Sequence, residues 1–92
     1  MSTSIEESPV DSISGTDGHW VVCVHNNETN SFDQVINILI KATKCSKDEA
    51  EMETWEIHNL GKTIVHHGTE EECEEAGKII ASIGVQVEVY KE

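Results

Sequence analysis

The apolar positions of the chain change period several times after residue 18, and each change marks an element. Trp20-Val21-Val22-Cys23-Val24-His25 is a short β-branched, apolar run of strand length. The polar stretch Asn26 to Asn30 reads as a loop. Asn30 or Ser31 then caps a helix. Its apolar face is Phe32, Val35, Ile36, Leu39 and Ile40, at helical spacing, and it ends near Lys44. Ser46-Lys47-Asp48-Glu49 reads as a capping box opening a second helix. Ala50, Trp55 and Ile57 lie along that helix, and Gly61 is its left-handed stop. Thr63-Ile64-Val65-His66 is a short strand. Thr69-Glu70-Glu71-Glu72 is another capping box, whose acids suit the positive end of the third helix. Ala76, Ile79, Ile80 and Ile83 supply that helix's buried face, and Gly84 closes it. The alternation in Val85-Gln86-Val87-Glu88-Val89-Tyr90 marks a half-buried strand.

The order is β-α-α-β-α-β. A sheet of so few strands cannot hide its apolar side alone, so the helices must cover one face. The predicted fold is a two-layer α+β domain over residues 19–92. Residues 1–18 are rich in Ser, Thr, Asp, Glu and Gly, with Ile5, Val10 and Ile13 as the aliphatics. They bury too little surface to offset ordering, and are read as a disordered acidic tail.

Charge narrows the function classes. The chain has 92 residues, 18 acidic and 6 basic, for a net charge of -12. Every basic residue is a lysine, so the bidentate arginine contacts of nucleic-acid readers are missing. Phosphate backbones and anionic membranes would be repelled, whereas a basic or amine-bearing partner would be attracted. High negative charge also simply favours solubility. No apolar segment reaches membrane-spanning length, and the N-terminus lacks the pattern of a secretory signal. Cys23, Cys45 and Cys73 are odd in number and widely spaced, which argues against both a disulfide framework and a zinc motif. A reducing, cytoplasmic location is expected.

Catalytic chemistry is not visible. Cys23 sits in an apolar strand, and Cys73 lies among glutamates that raise its pKa. No Gly-rich phosphate loop is present. His66 and His67 are adjacent in a strand and point to opposite faces, so they cannot share a metal. Trp55 reads as core. No cofactor and no metal are expected. What remains is two polar clusters at element ends. His58 stands at the end of the second helix, where it serves either as a cap or as a hydrogen-bonding group facing a pocket. Asn26, Asn27 and Asn30 are turn formers or, with Glu28, oxygen acceptors for an ammonium group.

These clusters, in order and spacing, resemble the ClpS family of adaptors for Clp-type AAA+ proteases. In that family a strand leads to an Asn-Asp-Asp-x-Thr-x-Met loop and a helix. A second helix ends in Val-His-x-x-Gly-Lys, and the third opens with Thr-x-Glu. The matches here are Asn26-Asn27-Glu28-Thr29-Asn30-Ser31-Phe32, then Ile57-His58-Asn59-Leu60-Gly61-Lys62, then Thr69-Glu70-Glu71. The resemblance runs from about Trp20 to Glu92. It implies a three-stranded antiparallel sheet covered by three helices. It also implies an adaptor that binds proteins by a large hydrophobic first residue (the N-degron) and delivers them to a Clp AAA+ unfoldase in the bacterial cytoplasm.

By position, Asn26 and His58 would bond the substrate's α-amino group and first peptide unit. Asn27 stands in the place of an acidic residue, which leaves Glu28 as the nearest carboxylate. The resulting ion-dipole contact is weaker than a charge-assisted bond by roughly 1 kcal/mol. Phe32 and Thr54 fall at methionine positions of the family pocket, and Ile57 and Val85 at other apolar ones. Asn30 and Ser31 replace a Thr and a Pro. Glu71 matches an acid on the unfoldase-facing side, and Ala76 replaces a lysine there. Two other readings stay open: a diverged ClpS-like interaction domain that no longer reads N-degrons, and a small metal-binding domain built on the histidines.

Overall fold

Strand β1 (Trp20–His25) is the spine of the sheet. The computed structural model describes residues 19–92, and the predicted tail lies outside them. Helices α1 (Phe32–Thr43) and α2 (Lys47–Leu60) follow, then strand β2 (Lys62–Gly68), helix α3 (Glu70–Ala81) and strand β3 (Val87–Lys91). The sheet order is β2-β1-β3, and both pairings are antiparallel. Fold class and element order are as the sequence pattern predicts.

Side chains on β1 alternate between two faces. Val22 and Val24 face the helices and join Val35, Leu39, Ala50, Ile57, Val65 and Ile80 in one apolar core. Val21, Cys23 and His25 therefore take the outer face. The pairing slips by one residue between Val22 and Cys23: Val22 pairs with His66, but Cys23 pairs with Ile64. Val65 is thus a bulge residue. It joins the core, and His66, opposite Val22, lies on the same side; His67, opposite Val21, lies on the outer face.

Each helix is opened by a hydroxyl. Ser31 accepts from the Gln34 N–H, and the Gln34 side chain accepts from the Ser31 N–H, so α1 begins with a complete capping box. Thr69 and Glu72 do the same for α3. Ser46 accepts from the Glu49 N–H at 3.1 Å, which is only half of the box expected there. Gly61 ends α2 at φ +94°, and the α1 cap Lys44 is also left-handed.

Three expectations change. Trp55 is 55% exposed, whereas its neighbour Thr54 is 2% exposed and sends its hydroxyl to the Ala50 carbonyl. The buried stripe of α2 is Ala50, Thr54 and Ile57, one position round from the tryptophan. Ile38, off the predicted stripe, is buried because α1 packs between α2 and α3 and so hides a wider arc. Strand β3 begins at Val87, so Val85 belongs to the connection after Gly84 (φ +99°). Gly77 lets α3 lie close on β3: a β-carbon there would stand 2.9 Å from Val89 Cγ2 and 3.4 Å from Val87 Cγ1.

Candidate functional site: a pocket between two helix ends

The backbone brings the two polar clusters together. The Asn26 N–H donates to the Gly61 carbonyl at 2.8 Å, which ties the loop after β1 to the left-handed stop of α2. One turn earlier on α2 is His58. Asn26 and His58 consequently line the same hollow. Its apolar lining comes from Val24 on β1, Phe32 and Val35 on α1, Ile57 on α2 and the buried Val85. Thr54 contributes there too, with its hydroxyl turned to its own helix.

Asn27 and Asn30 line the hollow, but their amides are engaged within the loop. The Asn27 oxygen accepts from the N–H groups of Thr29 and Asn30. The Asn27 amide nitrogen donates to Asn30 Oδ1 at 2.8 Å and to the Gly84 carbonyl at 3.4 Å. Asn30 Nδ2 donates to the Ile83 carbonyl at 2.9 Å and to Gln34 Oε1 at 3.2 Å. Both side chains therefore stitch the loop to the end of α3, as turn-forming amides do. Among the described residues, the Asn26 amide and the His58 ring make no side-chain hydrogen bond. Glu28 is exposed and does not line the hollow, whose walls carry no carboxylate. Val24, Ser31 and Val35 line it without having been singled out by sequence; Val35 was visible only as a core position.

Phe32 is the main departure from the predicted apolar face. It is 42% exposed and meets His58 edge to face, with ring centroids 5.2 Å apart and planes at 69°. Both rings line the hollow, which has a volume of about 20 Å³. That is room for about one water molecule.

The other predicted site residues lie elsewhere. Glu71 borders a separate acidic groove with Lys44, His66, Glu72, Glu75 and Ala76, between the end of α1 and the start of α3. The histidines do not gather into one metal site: His25 Nε2 meets Glu88 Oε1 at 3.0 Å, and His67 Nε2 lies 3.8 Å from Glu92 Oε1. Burial pushes the Cys73 thiol up, and Glu72 adds to the effect. No helix among the described residues is long and apolar enough to cross a membrane.

On the same helix as His58, the Glu53 carboxyl is pushed up to about 7, first by burial and then by Glu49 and Glu56. Its Oε1 is buried with no partner among the described residues. The folded state holds this proton more tightly than the unfolded chain, whose carboxyl titrates near the ordinary 4.5. The stabilising contribution is therefore complete below that value and is lost as pH rises through about 7. Because Glu53 is only partly buried, solvent screening limits it to about 1 kcal/mol. Urea midpoints measured from about pH 5 to 8 should fall more steeply for the native chain than for Glu53→Gln.

The molecule is a small sheet-and-helix domain whose pocket lies where a loop meets two helix ends. The chain belongs to the ClpS family: a family model described as "ATP-dependent Clp protease adaptor protein ClpS" matches residues 16–87. The fold is similar to that of Agrobacterium tumefaciens ClpS2, solved bound to L-phenylalaninamide. The TM-score is 0.74 at 16% identity, over 79% of this chain and 95% of that one. No curated protein sequence matches the chain.

Proposed function

We propose that this adaptor binds the free N-terminus of proteins that begin with a large hydrophobic residue and delivers them to a Clp AAA+ unfoldase. The observation that carries the reading is the placement of Asn26 and His58 at one pocket with an apolar lining of Val24, Val35, Ile57 and Val85. The Asn26 amide oxygen and the His58 ring accept from the α-ammonium and the first peptide N–H. The first side chain enters between α1 and α2. That the similar ClpS2 was solved with L-phenylalaninamide supports the assignment.

A hydrophobic side chain does not fit a hollow of about 20 Å³, so Phe32 has to swing outward on binding. Phe32 is 42% exposed, and its outward rotation breaks the edge-to-face contact with His58. Phe32→Ala is expected to tighten binding of peptides beginning with Phe, Leu, Tyr or Trp several-fold, since the bound state no longer displaces a ring from His58. Fluorescence anisotropy with labelled peptides measures this, with N-acetylated peptides as the control. Equal binding of acetylated and free peptides would remove the amine from the recognition. The acidic groove containing Glu71 is the proposed unfoldase-facing surface, and the bacterial cytoplasm the proposed location.

The small volume of the hollow and the loss of a carboxylate at Asn27 favour a second reading, a ClpS-like interaction domain that no longer reads N-degrons. Recovery of the unfoldase in a pull-down, with no anisotropy change for any of the peptides, would select it.

A further inference from the structure

The outer face of the sheet carries a cluster that the pocket does not use. Cys23 and His25 are two residues apart on β1, so their side chains project from the same face. Glu88 on β3 stands opposite Cys23 in the strand register. The Cys23 Sγ, the histidine ring nitrogen and the glutamate oxygen all lie within 4.8 Å of one another. His25 Nε2 and Glu88 Oε1 are 3.0 Å apart.

We propose that Cys23, His25 and Glu88 form a site for one divalent transition-metal ion of the zinc class, on the sheet face opposite the helices. A thiolate, an imidazole and a carboxylate are all accepted zinc donors, and three of them leave one position for water. Tetrahedral zinc bonds of about 2.0–2.3 Å place neighbouring donors roughly 3.3–3.7 Å apart. The 3.0 Å pair lies just below that range and every pair lies within 4.8 Å, so the three donors are close enough to share one ion. The sulfur and imidazole donors select against calcium and magnesium, which prefer an all-oxygen shell.

Access and charge fit the assignment. Cys23 is 3% exposed, but the His25 and Glu88 side chains are 23% and 52% exposed, so the ion enters from their side. The net charge of -12 draws cations toward the molecule. Lys62 pairs with His25 in the register and is the opposing cation. As the sulfur–metal bond forms, the thiol proton passes to solvent, and the ion also displaces the His25–Glu88 hydrogen bond. The pocket lies elsewhere, so occupancy of this site is separable from peptide binding.

Cobalt(II) titrated into the full chain tests the proposal, because thiolate ligation produces a near-ultraviolet charge-transfer band. One equivalent of cobalt is expected to produce the band, and zinc to abolish it. C23S should lose the band and C45S should keep it. E88Q replaces an exposed residue and leaves the core intact; it should weaken cobalt binding about tenfold or more, as H25Q should. If C23S does not fold, E88Q and H25Q decide, and native affinity in both overturns the site. Absence of the band in the folded native chain, or its loss in C45S, also overturns it.

Discussion

Alanine at position 58 is expected to weaken binding of a peptide with a free N-terminal phenylalanine by one to two orders of magnitude. His58 lines the hollow, and on the proposed reading its imidazole accepts from the bound N-terminus, so its removal would leave that donor unpaired in a partly desolvated place. Such a loss costs about 1–3 kcal/mol, and about 1.4 kcal/mol is a factor of ten in affinity. The Phe32 ring also loses its edge-to-face partner and is free to drift over the hollow. His58 is exposed, so the urea midpoint should stay close to that of the native chain. Anisotropy on both proteins separates a lost contact from a lost fold. Native affinity in His58→Ala would remove this histidine from the recognition.

Leu39→Ala should have the largest effect on stability, about 2–5 kcal/mol. Leu39 is 0% exposed, on the α1 face that meets the core between α2 and α3. Truncation removes apolar contact and leaves a void that a rigid sheet cannot fill. A single domain holds only about 5–15 kcal/mol in total, so the variant should unfold at markedly lower urea concentration. Trp55→Ala is the contrast, since a 55% exposed ring on the surface of α2 should cost far less despite its size. Equal losses for the two would contradict the packing described above.

The alternating and helical periods made all six elements legible, because each element has one buried side and a polar cap or glycine at its ends. Trp55 misled because size is a poor guide where a neighbouring threonine can satisfy its hydroxyl within its own helix. Thr54 does this against the Ala50 carbonyl and so replaces the tryptophan in the core. Val85 continues the strand alternation, but Gly84 turns the chain and leaves Val85 facing the pocket before pairing starts at Val87. In the candidate site, the family resemblance placed Asn26, Asn27, Asn30, Phe32, Thr54, Ile57, His58 and Val85 at the hollow they line; it also placed Glu28 there, which lies off the hollow, since a loop's outward residues depend on how it folds back. The engagement of Asn27 and Asn30 with Ile83 and Gly84 is contact across the sequence, which no local pattern reports. The same holds for Glu88, whose place beside Cys23 and His25 is a matter of strand register.

The close seat of β3 against α3 has a consequence for anyone wishing to stabilise the domain. Glycine within a helix usually invites replacement by alanine, for a gain of about 0.5–1 kcal/mol. At position 77 the added methyl would push into the stiff branches of Val89 and Val87, and the expected sign is reversed. The edge strand would be levered outward, and the connection bearing Val85 would go with it. A helix-strengthening substitution in α3 would thus loosen one wall of the candidate pocket, seen as a lower melting temperature and, on the proposed function, weaker peptide binding.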